Sequence, residues 1–220
     1  MSEINWELID QVVYINLAER NDRRVNTQRE LKKLGVPQEK ITRFEAIAYQ
    51  PGYIGCAQSH LQVLQLAQQQ QWKNVLILED DMAFHHDSAS AHRLNKFFAA
   101  LTQINWHVAF LTANYVQVTP FKSVDYLIKA HRAFCACAYI VNANYLPVLI
   151  ENISESIEQL LLGGAQHHYA LDVHWMPLMQ RDIWLGLFPN LGYQRPGRSD
   201  IEKGAMDYRH LFYKPLSKLV

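Results

Sequence analysis

Three consecutive carboxylates, Glu79, Asp80 and Asp81, are the strongest candidates for chemistry in this sequence. They follow the apolar run VLIL at residues 75–78, which predicts a strand covered on both faces, as in a parallel sheet. Ligands of open α/β sheets bind beyond the carboxyl ends of the strands. Adjacent carboxylates repel one another, and a divalent cation relieves that repulsion. Oxygen ligands favour Mg²⁺ or Mn²⁺, so the triplet predicts a hard-cation site that could bridge phosphate oxygens. The alternative is that two of the acids cap the next helix and the third is solvated.

A second group of candidates follows the predicted first strand, VVYINL at residues 12–17. Asn16 could hydrogen-bond a base or ribose there. Arg20, Arg23 and Arg24 could hold phosphate through their planar guanidinium groups. The sequence contains neither GxGxxG nor a Walker A motif, which disfavours a dinucleotide-binding fold and a P-loop kinase. The alternative is an ordinary charged helix start.

Two further polar pairs could contribute to such a site. Ser59 and His60 lie in GCAQSH, near the predicted start of a helix, where free N–H groups favour anions. Ser199 and Asp200 follow a Gly-Arg turn and could assist a phosphate or metal site. The alternative for Ser59 is a serine that merely starts the helix, and the alternative for His60 is a histidine without a role in the site. The alternative for Ser199 and Asp200 is a surface turn.

The segment HHYALDVHW at residues 167–175 offers a candidate general base or ligand, Asp172. His174 lies on the same side as Asp172 if the segment is extended. These histidines, with His85 and His86, could supply zinc ligands, but neither HExxH nor paired CxxC supports such a site.

Apolar runs of strand type alternate with helical patterns along the chain, which predicts an α/β fold with a mainly parallel sheet flanked by helices. The predicted strands are residues 12–17, 41–48, 75–78, 108–112 and 135–141. The predicted helices are a polar stretch that follows AERNDRR and ends near Gly35, residues 56–71, a helix capped by Ser88 or Ser90, 144–153 and 154–162. From Gly186 onward, we expect loops and short strands. No repeat or linker divides the chain, so we expect one domain over residues 1–220.

Composition narrows the function classes. The 220 residues carry 21 basic and 21 acidic side chains, and this zero net charge argues against a nucleic-acid binder. The longest wholly apolar run, residues 133–141, is far shorter than the roughly 20 residues of a membrane-spanning helix. The N-terminus lacks the basic region of a signal peptide. Three cysteines without CxxC indicate free thiols in a reducing compartment, so we expect a cytoplasmic protein.

The ordered set of these segments resembles glycosyltransferase family 25, over roughly residues 11–203. The segments that carry the resemblance are VVYINLAERNDRR, FEAIAY, GCAQSHL, VLILEDDMAF, AYIV, ALDV and SDIEK. The resemblance implies a GT-A-type nucleotide-diphospho-sugar transferase fold and a DxD-like acidic motif. It also implies metal-dependent, inverting transfer from a UDP-sugar, most often UDP-galactose. The acceptor would be a hydroxyl of a glycan, glycolipid or protein.

The resemblance also carries over site residues. The positions that match the family's motifs are Asn16, Leu17, Arg23, Arg24, Ser59, His60, Glu79, Asp80, Asp81, Asp172, Ser199, Asp200 and Ile201. The chain departs from the family at Ala18, where Asp is frequent, and at residues 135–137, where Gly or His usually precedes Ala-Tyr.

The resemblance gives the matched residues specific roles. We expect Asp81, helped by Asp80, to hold Mn²⁺ or Mg²⁺ against the diphosphate, and Arg23 or Arg24 to add positive charge. Asp172 is our first choice for the base that deprotonates the acceptor, with Asp200 and His60 as rivals.

Two other function classes stay open. One is a metal-dependent phosphoesterase that uses the same acids with His85, His86 and His174. The other is a non-catalytic nucleotide-sugar-binding module. The mildly basic, aromatic C-terminal segment YRHLFYKPLSKLV is compatible with peripheral contact with the inner membrane.

Overall fold

Helices and strands alternate through the computed structural model, which describes residues 3–198 and 204–220 except for the side chain of Arg198. The strands are β1 (Gln11–Asn16), β2 (Ile41–Glu45), β3 (Asn74–Glu79), β4 (Met82–Phe84), β5 (Val108–Pro120), β6 (Leu127–Asn142), β7 (Trp184–Leu187), β8 (Gly192–Gln194), β9 (Gly197–Arg198) and β10 (Ala205–Met206). The α-helices are α1 (Asn21–Lys33), α2 (Gly52–Gln69), α3 (Ser88–Leu101), α4 (Leu146–Leu161), α5 (Gln166–Tyr169), α6 (Leu171–His174), α7 (Met176–Arg181) and α8 (Arg209–Phe212). Short 3₁₀ turns lie at Gln38–Lys40, Ala143–Tyr145 and Leu216–Lys218.

Six of these strands form the central sheet, in the order β2-β1-β3-β6-β5-β7. β1 runs parallel to β2 and β3, and β5 runs parallel to β7. β6 is antiparallel to β3, β5 and β7. Five of the six strands described in this sheet therefore point the same way, which confirms the predicted α/β class with a mainly parallel sheet.

Helices cover both faces of the sheet, which explains why β1 is apolar at nearly every position. Val13 and Ile15 belong to one core cluster, which includes buried residues of α2 and α4. Val12 and Tyr14 belong to the other cluster, which includes buried residues of α1 and α3. Successive side chains of a strand point to opposite faces, so a strand covered by helices on both sides must be hydrophobic at every position.

Several predicted element boundaries were wrong. β5 and β6 extend well beyond the predicted runs because they pair with each other through residues 117–120 and 128–132. A single helix, α4, replaces the two predicted helices. Its serine at the predicted break, Ser154, hydrogen-bonds the carbonyl of Ile150 and is accommodated within the helix. The N-cap of α3 is Asp87, whose side chain accepts the N–H of Ser90.

The turn after β3 fixes the position of the acidic triplet. Glu79 is the last residue of β3, and β4 begins at Met82, so the triplet does not cap a helix. β4 pairs with β8, which brings Gln194 opposite Met82. The pairing requires a glycine in β8, because a Cβ at Gly192 would lie 2.1 Å from the carbonyl oxygen of Ala83. No helix among the described residues has the length and apolar character to cross a membrane.

Candidate functional site

A cleft of about 580 Å³ lies where the carboxyl ends of β1, β2 and β3 meet. This is the edge at which open α/β sheets bind ligands. Most of the sequence-predicted site residues line it: Leu17, Arg23, Ser59, His60, Glu79, Asp80, Asp81 and Asp172. The fold therefore brings together side chains from β3, α1, α2 and α6.

Asp80 lines the cleft, but it is only 7% exposed and its carboxylate is already paired. Its side chain accepts a hydrogen bond from the Asn16 amide at 2.6 Å and one from the Arg23 guanidinium at 2.9 Å. The Thr27 hydroxyl also donates to the Asp80 carbonyl. Burial raises the pKa of Asp80, and the bonds from Asn16 and Arg23 oppose that rise. Both carboxylate oxygens already have partners, so Asp80 is better placed to anchor the turn than to bind a ligand.

Asp81 differs from Asp80 in having an unpaired oxygen. Its Oδ2 lies 3.4 Å from the Arg23 guanidinium, while its buried Oδ1 has no hydrogen-bond partner among the described residues. Burial, followed by repulsion from Glu79, raises the pKa of Asp81 to about 7, and the charge of Arg23 and the nearby Gln194 amide only partly offset the rise. A cation at this oxygen would pair it and would favour the ionised carboxylate. Asp81 therefore fits the predicted role of a hard-cation ligand.

Asn16 and Arg24 are not among the residues that line the cleft. Asn16 is 1% exposed, and it holds Asp80 with its amide nitrogen while its oxygen accepts a bond from Arg43. Its side chain positions the acidic turn instead of facing a base or ribose. Arg24 is exposed on α1. Ser199, Asp200 and Ile201 lie outside the described residues.

Ser59 lies in the interior of α2, because the helix begins at Gly52 and not near residue 56 as predicted. The expectation that Ser59 and His60 accompany the free N–H groups of a helix start is therefore wrong. The Ser59 hydroxyl donates to the Gly55 carbonyl at 2.6 Å and accepts the Ile47 N–H at 2.8 Å. These bonds attach the segment after β2 to α2, and that segment forms one wall of the cleft.

His60 is fully buried beside the acidic turn. Its Nδ1 lies 2.8 Å from the Tyr139 hydroxyl. Its Nε2 has no hydrogen-bond partner among the described residues and lies 3.7 Å from Glu79 Oε1. Glu79 in turn accepts a hydrogen bond from the Gln194 amide through Oε2.

Asp172 is the second residue of the short helix α6, and it accepts the N–H of Cys135 at 2.9 Å. Cys135 has a left-handed φ of +70° within β6, where the pairing with β5 is irregular. Burial raises the pKa of Asp172; the Cys135 N–H opposes the rise and the charge of Glu79 adds to it. A carboxylate with a raised pKa is a stronger base, which suits proton abstraction.

The other histidines do not reach the cleft. His174 does not share a side with Asp172, because the segment is helical and not extended, and it lies 3.4 Å from Glu155. His86 pairs with Glu30 at 2.9 Å. The ring of His85 packs beside those of Tyr193 and Tyr213, at 6.1 and 6.0 Å between centroids. The structure therefore does not assemble the histidine set that a phosphoesterase at this site was expected to use.

Among the cleft-lining residues that sequence reasoning missed, Arg195, Gln194 and Cys56 lie beside the acidic turn. The Arg195 N–H donates to the Asp81 carbonyl, and its guanidinium bonds Glu30 at 2.7 Å. Burial, and then the charges of Glu79 and neighbouring acids, raises the pKa of the Cys56 thiol. Gln194 and Arg195 precede the Gly-Arg turn and the candidates Ser199 and Asp200, and only the pairing of β4 with β8 brings them to the acids.

Comparison with known proteins identifies one family. The family model described as glycosyltransferase family 25 (LPS biosynthesis protein) matches residues 50–161, about half of the chain. That range contains α2, the acidic turn and α4. No curated protein matches the chain significantly in sequence.

Several solved structures are similar to the chain at low sequence identity. Mannose-1-phosphate geranyltransferase from Thermus thermophilus is 11% identical, with 80% of this chain and 72% of that chain covered and a TM-score of 0.48. Apo UDP-glucose pyrophosphorylase is also 11% identical, with coverages of 84% and 74% and a TM-score of 0.45. A197 from STIV is 8% identical, with coverages of 84% and 85% and a TM-score of 0.48.

Proposed function

Because the chain belongs to glycosyltransferase family 25, we propose that it is a metal-dependent, inverting glycosyltransferase of the GT-A type. In this proposal the enzyme transfers a hexose from a UDP-sugar to a hydroxyl group of a glycan, glycolipid or protein. The preferred hexose is galactose. The proposed location is the cytoplasm, with peripheral contact with the inner membrane where the acceptor is a glycolipid. The observation that carries the proposal is the buried Oδ1 of Asp81, which has no hydrogen-bond partner among the described residues and lies in a cleft at the carboxyl edge of the sheet.

Asp81 is the proposed ligand for Mn²⁺ or Mg²⁺, and Asp80 is the residue that fixes its position. Such a cation, when bound, would neutralise the charge that develops on a departing nucleoside diphosphate. Asp80 is bonded to Asn16 of β1 and Arg23 of α1, so the turn that carries Asp81 is held from two elements. A fixed carboxylate loses little freedom when it binds a ligand, which favours binding.

Arg23 and Arg195 supply positive charge for the diphosphate. Both line the cleft, and both are attached to the acidic turn: Arg23 through Asp80, and Arg195 through its N–H bond to Asp81. Guanidinium groups suit phosphate because they present paired N–H donors in one plane. Glu79 is retained as a donor-site residue, and Leu17 is the apolar residue proposed to contact the nucleoside where β1 ends.

Asp172 is the proposed base that removes the proton of the acceptor hydroxyl. It lines the cleft and is partly exposed, whereas its rival His60 is fully buried. An acceptor hydroxyl must come within hydrogen-bond distance of the base, directly or through one water molecule, and exposure favours Asp172. The hydrogen bond from the Cys135 N–H holds one carboxylate oxygen of Asp172 in place and so fixes the orientation of the side chain.

Thermal unfolding with UDP-galactose, in the presence and absence of Mn²⁺, tests this function. A donor at one hundred times its Kd adds about 2.7 kcal/mol to the free energy of unfolding. That free energy corresponds to a rise of roughly 5–10 °C in Tm for a chain of this size. Asp81→Asn should abolish the Mn²⁺-dependent part of the rise. The matched control is Asp22→Asn, because Asp22 is an exposed carboxylate of α1 outside the cleft.

Two results would contradict the proposal. One is the absence of any rise in Tm with UDP-galactose and other UDP-sugars in the presence of Mn²⁺. The other is an unchanged Mn²⁺-dependent rise in the Asp81→Asn variant. Release of UDP from the bound donor separates an enzyme from a non-catalytic binding module, which would show the rise in Tm without turnover.

A further inference from the structure

A second set of possible metal ligands lies beside the acidic turn. Cys56, His60 and Glu79 place a sulfur, a nitrogen and a carboxylate oxygen all within 4.8 Å of one another. Cys56 Sγ is 3.9 Å from Glu79 Oε1, and His60 Nε2 is 3.7 Å from the same oxygen. We propose that these three side chains bind a thiophilic divalent cation, with Zn²⁺ preferred, at a site distinct from that of Asp81.

The secondary structure explains why the three groups converge. Cys56 and His60 are four residues apart on α2, so they lie one turn apart on the same helix face. Glu79 ends β3, and Glu79, Cys56 and His60 all line the same cleft. The convergence therefore follows from rigid elements and not from a loop.

An independent observation comes from the ring of His60. The side chain is fully buried, yet Nε2 has no hydrogen-bond partner among the described residues. Buried polar atoms without a partner are uncommon in proteins, and each one calls for a ligand or another explanation. The Tyr139 hydroxyl contacts Nδ1 at 2.8 Å, which orients Nε2 towards Glu79. Histidines that bind metals usually have such a partner on the second ring nitrogen.

The donor set and spacing indicate the kind of cation. Tetrahedral zinc with Zn–S of about 2.3 Å and Zn–N or Zn–O of about 2.0–2.2 Å has ligand atoms roughly 3.4–3.6 Å apart. The two distances from Glu79 exceed these values by a few tenths of an ångström, and the Cys56 and His60 ligand atoms lie within 4.8 Å of each other, so the side chains would have to move together by up to roughly 1 Å to reach tetrahedral spacing. Thiolate and imidazole favour zinc over Mg²⁺ and Mn²⁺, which prefer all-oxygen sites. On binding, the Cys56 thiol would lose its proton to the buffer.

Three protein ligands leave the fourth tetrahedral position open, as in zinc sites that bind a water or substrate. Glu79 would bind through Oε1, since Oε2 already accepts the Gln194 amide. The inference goes beyond the proposed function, because it concerns different ligand atoms and a different class of cation. It can be tested without any sugar donor.

Direct binding of Co²⁺ and Zn²⁺ to the full chain tests the site. Co²⁺ bound by a thiolate gives a sulfur-to-metal charge-transfer band, and Zn²⁺ should displace it at stoichiometric concentrations. Cys56→Ser, a near-isosteric change, should remove the band. Cys135→Ser is the matched control, because Cys135 also lines the cleft but is outside the triad, and it should keep the band. Tyr139→Phe should weaken Zn²⁺ binding about 10- to 100-fold through loss of the partner of His60.

The inference is overturned if stoichiometric Co²⁺ gives no thiolate band with the wild-type chain. It is also overturned if Cys56→Ser keeps the band or Cys135→Ser loses it, with circular dichroism confirming that the variants are folded. Asp81→Asn separates the two cation sites, because it should keep the cobalt band while losing the Mn²⁺-dependent effect on UDP-sugar binding. Loss of the cobalt band in Asp81→Asn would show that the sites are not distinct.

Discussion

Glu30 should stabilise the fold because it connects three elements around the cleft. Its side chain is 5% exposed and accepts bonds from the Phe84 N–H, the His86 ring and the Arg195 guanidinium. Glu30→Gln can keep a carbonyl oxygen for the Phe84 N–H and the His86 ring, which share Oε2, but it removes the negative charge that pairs with Arg195 and puts an amide group in place of Oε1. Removing one partner of a buried ion pair costs about 3–5 kcal/mol.

The expected cost here is at or below the lower limit of that range. The side chains of Arg195 and His86 are 37% and 25% exposed, so water can partly replace the lost carboxylate. We therefore expect Glu30→Gln to lower the free energy of unfolding by about 2–3 kcal/mol at pH 7. This corresponds to a fall in Tm of roughly 4–12 °C for a chain of this size.

The pH dependence gives a second measure of the same contacts. Burial raises the pKa of Glu30, but the Phe84 N–H, His86 and Arg195 together bring it below the usual value of 4.5. A carboxylate whose folded pKa is lowered stabilises the fold above its unfolded pKa and loses that contribution as the pH falls through its folded pKa. The difference between the wild type and Glu30→Gln should therefore shrink below about pH 4.5.

Urea denaturation followed by tryptophan fluorescence measures both effects. The control is Glu45→Gln, because Glu45 is paired with Arg43 but is 64% exposed, and exposed pairs contribute about 0–1 kcal/mol. A Glu30→Gln variant within about 0.5 kcal/mol of the wild type at pH 7 would refute the reasoning. A difference that stays constant down to acid pH would refute the assigned cause.

Four further predictions follow from individual contacts. Asp172→Asn should lower turnover by about 10² or more while UDP-sugar binding is retained, and loss of binding in equilibrium titrations would instead assign Asp172 to the donor site. Because the pKa of Asp81 is raised to about 7, protons should compete with Mn²⁺ below that pH, and affinity measured by calorimetry should fall about tenfold per pH unit; a flat profile would exclude Asp81 as the ligand. Ser59→Ala should lower the free energy of unfolding, measured by urea denaturation, by about 1–2 kcal/mol, because the Ile47 N–H loses its acceptor. An unchanged free energy of unfolding would show that water replaces the serine hydroxyl. Gly192→Ala should cost about 3 kcal/mol by the same measurement, because its Cβ would clash with the backbone of β4, and a wild-type value would contradict the close approach.

The sequence predicted the acidic turn and its place at the sheet edge because both depend on local patterns. The run VLIL is buried on both faces, and the acids follow it directly. No local pattern indicates a role for residues 194–195, because that role depends on the pairing of β4 with β8, more than 100 residues apart in sequence. Ser59 was placed at a helix start because the apolar periodicity gives no clear signal at Gly52, where α2 begins.

The sequence by itself determined that a strand would deliver three carboxylates to the ligand-binding edge of an α/β sheet, and its motif order indicated the family. Only the tertiary structure decided which carboxylate keeps an unpaired oxygen. Asp80 is paired by Asn16 and Arg23, whereas one oxygen of Asp81 is buried without a partner among the residues that the structure describes. The physical reason is that hydrogen-bond partners and burial come from segments distant in sequence. Once those segments pack around them, two aspartates at adjacent positions differ in hydrogen bonding and in pKa.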